Sequence, residues 1–371
     1  MSSADGHERH TLTEPKCTPW AALENAPWWL PGGHAQTIWP AFFAKRWIKH
    51  PPQYRRERWH TPDGDFIDAD WLVCRAEPGI NIGAHCRSHA FAGHPTTSAE
   101  AQKTLLVLFH GLEGSSNSQY AHAFAAAASE QSWAMVVPHF RGCSGEINLA
   151  PRAYHSGDYE EIHWILARLS AQHDGSIHAV GISLGGNALL RWAEESGGEA
   201  HNLVNSVTAV CSPIDLAASG FAMGVGASRW LYTPMFLHTM KAKACAKLKQ
   251  YPGLFYQKRL LSARTLYEFD NVFTAPLHGY KDTDDYWCRA SAAPKLNCIR
   301  VPTLIINATN DPFVPKDSLP LPGHLSTNVE VWRPRLGGHC GFASGAFPAN
   351  VLSLPREVLR WITTHHSQSN Q

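Results

Sequence analysis

Residues 181–185 read Gly-Ile-Ser-Leu-Gly and place Ser183 between two glycines, each one residue removed. This is the GxSxG spacing of a nucleophile elbow. The serine sits on a tight turn, and the missing side chains let the flanking strand and helix approach each other. A serine hydroxyl is a weak nucleophile unless a base lies within hydrogen-bond reach and a third group orients that base. Two residues further along supply those roles. Asp311 lies in NATNDPF, followed by Pro312, which favours a turn. His339 lies in LGGHCGF, among glycines suited to a tightly bent loop. Serine, acid and histidine in that chain order accompany an elbow of this kind.

Upstream, the apolar run KTLLVLF leads into His110-Gly111-Leu112-Glu113-Gly114. There the backbone N–H of Leu112 is expected to pair with that of Leu184 as an oxyanion hole. The bland reading of HGLEG is a plain turn, and His110, which precedes the serine, is read as shaping that loop. Asn310 can bond locally, but an amide offers the imidazolium no compensating charge, so Asp311 is the better orienter. Cys340, adjacent to His339 in sequence, cannot easily face it as a nucleophile and is read as a bystander. The loop Phe140-Arg141-Gly142-Cys143-Ser144-Gly145 matches neither a Walker loop nor GxGxxG, and is read as structural.

These residues need a scaffold. Short apolar runs at 103–110, 133–138, 177–181, 205–211, 301–308 and 329–334 read as strands buried on both faces. Helical patterns fall at 120–131, 158–171 (capped at its start), 184–195 and 347–365. The alternation predicts an α/β fold, with a mostly parallel central sheet flanked by helices. Residues 54–73 alternate polar and apolar around Pro-Asp-Gly, as an antiparallel hairpin at the sheet edge would. The rhythm breaks at 215–294, read as an inserted helical cap between core segments 51–214 and 295–371, with 1–50 as an N-terminal extension. Phe221, Met223, Trp230, Tyr232, Met235 and Phe236 of the cap are expected to wall an acyl-chain pocket. Low complexity is confined to the tail at 365–371 and the loop at 78–101.

With 371 residues, 44% of them hydrophobic and 17% charged, the chain can bury a large core. A net charge of +1 gives no footprint for nucleic acid. Nine cysteines without a CxxC pair point to reduced thiols and a cytoplasmic setting. The 22 histidines form no metal motif, so neither metal nor cofactor is expected. No secretory signal or apolar run of about 18 residues is visible, so stable membrane insertion is not expected. Peripheral lipid contact is left open, and the sequence does not specify an oligomeric state.

PGGHAQTIWP, HGLEGSSNSQY, PHFRGCSGE, GISLGGN, FDNVFTAPLHGYKDTDDYW, NATNDPF and GGHCGF follow one another along most of the chain. In these motifs the chain resembles the YheT-like branch of the α/β-hydrolases, which takes in eukaryotic abhydrolase-domain lipases and yeast medium-chain ester synthases. The resemblance implies the α/β-hydrolase fold and a triad falling on Ser183, Asp311 and His339. It also implies hydrolysis of small-molecule carboxylic esters, of short to medium acyl chains or acylglycerols. Two departures stand out: the membrane anchor of the eukaryotic members is missing, and the acid loop reads NATNDP instead of carrying two adjacent acids. Transfer of the acyl group to an alcohol, amide cleavage, and a non-catalytic binding role on the same fold are the competing readings.

Overall fold

The computed structural model describes residues 18–43, 51–73 and 103–369. The stretch at 78–101 lies outside them. Among the described residues, eight strands form one sheet in the order β1-β2-β4-β3-β5-β6-β7-β8. The hairpin β1 (Tyr54–His60) and β2 (Phe66–Leu72) turns through Pro62-Asp63-Gly64, and β2 pairs antiparallel with β4 (Ala134–Pro138). The rest is parallel: β3 (Thr104–Phe109), β5 (Ser176–Ile182), β6 (Ser206–Val210), β7 (Thr303–Ile306) and β8 (Val329–Trp332). Every residue of β6 and β7 is buried, Ser206, Thr208 and Thr303 included, as expected of strands covered on both faces.

Helices cover both faces. They are α2 (Gln119–Glu130), α3 (Tyr159–Ser170), α4 (Leu184–Ser196) and the last described helix, while α1 (Gly32–Phe43) packs beside Leu30, Ala343 and Ala349. One face buries Trp59, Phe109, Ile165, Leu189 and Trp192; the other buries Phe124, Val180, Ile306, Trp332 and Ile362. Between β6 and β7 come α5 (Leu216–Gly224), α6 (Gly226–Leu231), α7 (Thr233–Gln250), α8 (Gln257–Ser262), α9 (Leu266–Val272), α10 (Thr274–Leu277) and α11 (Thr283–Ala290), with no strand among the described residues. α12 spans Ser353–Ser369.

Two expectations need correction. The closing helix starts at Ser353, not at 347, because Asn350 bonds the Leu352 N–H through its own Oδ1, a local alternative to helical bonding. It also runs on to Ser369, through most of the polar tail. The cap expected at the start of α3 is absent: Asp158 makes no capping bond and instead pairs with Arg152. Arg141, in the loop read as structural, bonds Asp63, Asp65 and Glu161, tying the hairpin turn to α3.

Candidate active site

Ser183 follows the last residue of β5 and leads α4, with φ 53° and ψ −119°, a conformation most residues avoid. The glycines around it make that turn possible. A Cβ on Gly181 would lie 2.5 Å from the Gly186 Cα, and one on Gly185 would lie 2.5 Å from the His110 carbonyl oxygen. Gly185→Ala should therefore cost about 3 kcal/mol of stability, because the clash is with backbone that cannot swing aside. Thermal melting together with ester turnover checks this, and a variant as stable as the parent would refute it.

His339, in the loop after β8, bridges the other two side chains. Its Nε2 lies 2.9 Å from Ser183 Oγ and its Nδ1 2.9 Å from Asp311 Oδ2. The Asp311 carboxylate is fully buried, and the imidazole is 11% exposed. Asp311 Oδ1 accepts from the N–H groups of Phe313 and Val314, so the turn after Asn310 fixes the carboxylate before it meets the imidazole. The Phe313 ring lies 4.2 Å from the His339 ring. The arrangement can move a proton from a serine hydroxyl to an imidazole whose other nitrogen faces a carboxylate.

Leu112, Ser183, Leu184 and His339 line one cleft, and a Cβ on Gly111 would stand 3.2 Å from the Ser183 Cβ. The loop bearing Leu112 is held on several sides. Tyr120 Oη accepts from Gly111 N at 3.0 Å, and Tyr154 Oη accepts from Glu113 N at 2.8 Å. Tyr154 and Lys243 of α7 both donate to Glu113 Oε1 at 2.9 Å. His110 accepts from Phe140 N through Nε2, while Nδ1 faces the Gly111 carbonyl, which fits a neutral ring protonated at Nδ1.

Burial, and then the charge of nearby His139, lower the His110 pKa to about 3. The unfolded chain binds this proton first, so the stability due to neutral His110 is complete above about pH 6.5 and is lost as pH falls towards 3. His110→Gln should be less stable at pH 7. Over pH 4–6 its melting should depend on pH less steeply than the parent's, by up to roughly 1.4 kcal/mol per pH unit. Equal slopes would show that His110 carries a charge in the fold.

The cleft encloses about 1180 Å³ of atom-free space, its open mouth included. Its apolar wall corrects the sequence expectation. Met223 and Phe236 do line it, joined by Leu216, Met240, Phe269 and Trp287. Phe221, Trp230 and Met235 instead point outward, 71%, 77% and 49% exposed, and Tyr232 is buried against Phe313 and His34. Short helices have two faces, and composition does not say which one packs. Asp270 also lines the cleft, bonded by Thr274 and Trp287, and burial raises its pKa to about 6.

Asn310 turns out to link loops: its Oδ1 accepts from Gly338 N. Cys340 and Cys211 are buried beside His339, and the three donor atoms lie within 4.8 Å of one another. They could gather round a cation only if His339 gave up a present partner. Burial, with Cys211 alongside, keeps the Cys340 thiol well above its usual pKa and hence protonated. Gln36, Thr37, Tyr120, Tyr154 and Lys243 also support the site; Gln36 and Thr37 fall in PGGHAQTIWP and Tyr120 in HGLEGSSNSQY, but their residue types alone do not mark a role.

A parallel sheet with a serine elbow at one strand end and an acid and a histidine at two later ones defines a hydrolase-type α/β protein. This chain belongs to the α/β-hydrolase fold family, whose model matches residues 104–346, and within it to the YheT-like branch. It is 39% identical to YheT of Escherichia coli (strain K12), named as an esterase, over 90% of each chain. It is 27% identical to phospholipase ABHD3 of Mus musculus over 90% of this chain and 76% of that one. To medium-chain fatty acid ethyl ester synthase/esterase 2 of Saccharomyces cerevisiae (strain ATCC 204508 / S288c) it is 28% identical, over 84% of this chain and 79% of that one. The chain is thus an esterase- or lipase-type hydrolase. Among the described residues no helix is long and apolar enough to cross a membrane.

Proposed function

We propose that this chain is a serine carboxylesterase acting on short- to medium-chain acyl esters or acylglycerols through an acyl-enzyme on Ser183. The observation that carries the reading is the His339 bridge, 2.9 Å to Ser183 Oγ and 2.9 Å to Asp311 Oδ2, at a cleft with an apolar wall. Ser183 Oγ attacks the ester carbonyl as His339 Nε2 takes its proton, and the Leu112 and Leu184 N–H groups receive the oxyanion. His339 then gives the proton to the departing alcohol. Water, deprotonated by the same nitrogen, cleaves the acyl-enzyme. The Asp311 carboxylate, facing Nδ1, holds the Nδ1–H form of the ring. No cofactor or nucleic acid enters, the partner is a small ester, and we place the protein in the cytoplasm, with lipid contact at most peripheral.

Treatment with a fluorophosphonate, and turnover of p-nitrophenyl esters of increasing acyl length, test this. Labelling and turnover should both depend on Ser183, with an optimum at short to medium chains. A folded protein that neither labels nor turns over any ester would leave a binding role. The yeast synthase/esterase relative favours one second reading, acyl transfer to an alcohol. Ethyl ester as the main product at low ethanol would select it over hydrolysis.

A further inference from the structure

The start of α1 is inlaid between the two loops that carry Asp311 and His339. Thr37 Oγ1 accepts from the His339 N–H at 2.8 Å and donates to the Gly33 carbonyl at 2.7 Å, so its hydrogen and one of its two lone pairs have assigned directions. Gln36 Oε1 accepts from Gly337 N and from Asn310 Nδ2, each at 2.8 Å, while its Nε2 donates to the Leu30 carbonyl at 2.9 Å. With Gly338 N on Asn310 Oδ1 and Cys340 N on Cys211 Sγ, the backbone N–H groups of 337–340 all end on side chains from elsewhere in the chain.

This loop follows β8 but forms no ladder of its own, and φ is positive at Gly337, Gly338 and Cys340. The contact is close as well as polar. A Cβ on Gly33 would stand 1.8 Å from the Asn310 carbonyl oxygen, and one on Gly341 would stand 1.9 Å from the Gln36 carbonyl oxygen. Gln36 and Thr37 are 2% and 6% exposed, and neither lines the cleft. Both lie outside the span of the family match, 104–346.

We infer that Gln36 and Thr37 are positioning residues for the base. By fixing the backbone on either side of the imidazole, they hold His339 at the height where one nitrogen meets Ser183 and the other Asp311. This rests on the proposed serine-esterase reading. A buried N–H that loses its acceptor pulls the loop towards another partner. A displacement of about 1 Å in a reacting group can cost on the order of 100-fold in rate. Substrate binding should be spared, because neither side chain reaches the cleft.

The test compares the wild type with Thr37→Val, Thr37→Ser, Gln36→Met and the Ser183→Ala control. Turnover of a p-nitrophenyl ester and the rate of fluorophosphonate labelling are measured well below each variant's melting temperature. Thr37→Val keeps the shape but loses the acceptor. It should lower kcat by about 10- to 100-fold with KM within about twofold, and slow labelling in parallel. Gln36→Met should do likewise, and Thr37→Ser, which keeps the hydroxyl, should restore kcat to within about threefold of wild type. The inference is overturned if Thr37→Val and Gln36→Met keep wild-type kcat and labelling, or if Thr37→Ser is as impaired as Thr37→Val, since packing would then be the whole role. Turnover that persists in Ser183→Ala would instead overturn the underlying catalytic reading.

Discussion

Ser183→Ala should lower kcat on the order of 10⁶-fold and abolish fluorophosphonate labelling while leaving the melting temperature nearly unchanged. The size follows from what is lost. Without Oγ the acyl-enzyme cannot form, and His339 has no hydroxyl to deprotonate at 2.9 Å. What remains is water attacking an ester held near the proposed oxyanion donors, which still exceeds the uncatalysed rate by roughly 10³- to 10⁴-fold. Stability should be spared because alanine keeps the Cβ at the same φ of 53°, so the backbone strain is common to both proteins. Steady-state kinetics with a p-nitrophenyl ester, alongside thermal melting, reads both quantities. A variant within tenfold of the parent would mean that Ser183 is not the nucleophile.

Asp311→Asn should lower kcat by about 10⁴-fold with little effect on KM. Here geometry decides the outcome. Asp311 Oδ1 already accepts from Phe313 N at 2.8 Å and Val314 N at 3.3 Å. An asparagine keeps its carbonyl oxygen on those donors, so its NH₂ is left facing His339 Nδ1. The imidazole must then offer a lone pair at Nδ1 and carry its proton at Nε2, pointing at Ser183. That tautomer cannot take the serine proton, and the imidazolium formed later in the cycle loses its compensating charge. Kinetics across substrate concentration checks the expectation: a loss confined to kcat supports it, and a loss below tenfold would assign the orienting role elsewhere.

The parts of this molecule that could be read in one dimension are those whose cause is local. LLVLF became the body of β3 because a strand covered on both faces favours apolar residues. GISLG announced the elbow because only glycines tolerate the contacts now seen at Gly181 and Gly185. The start of α12 went astray because the bond from Asn350 to Leu352 competes with the helix, and composition does not weigh the two. Asp158 has the right residue type for a cap, but Arg152 claims its carboxylate.

By itself, the sequence determined the alternation of strands and helices, the elbow at Ser183, and the order in which Asp311 and His339 follow at later strand ends. Each of these rests on spacing within a few residues, or on the chain order that a parallel sheet imposes. Only the tertiary structure decided that Thr37 holds the backbone of His339 across 302 residues, that Lys243 of α7 grips Glu113 in the loop bearing Leu112, and that Phe236 faces the cleft while Met235 beside it faces out. The physical reason is the same in all three. A hydrogen bond or a buried face depends on which atoms meet in space, and segments distant in the chain carry no periodicity that announces the meeting.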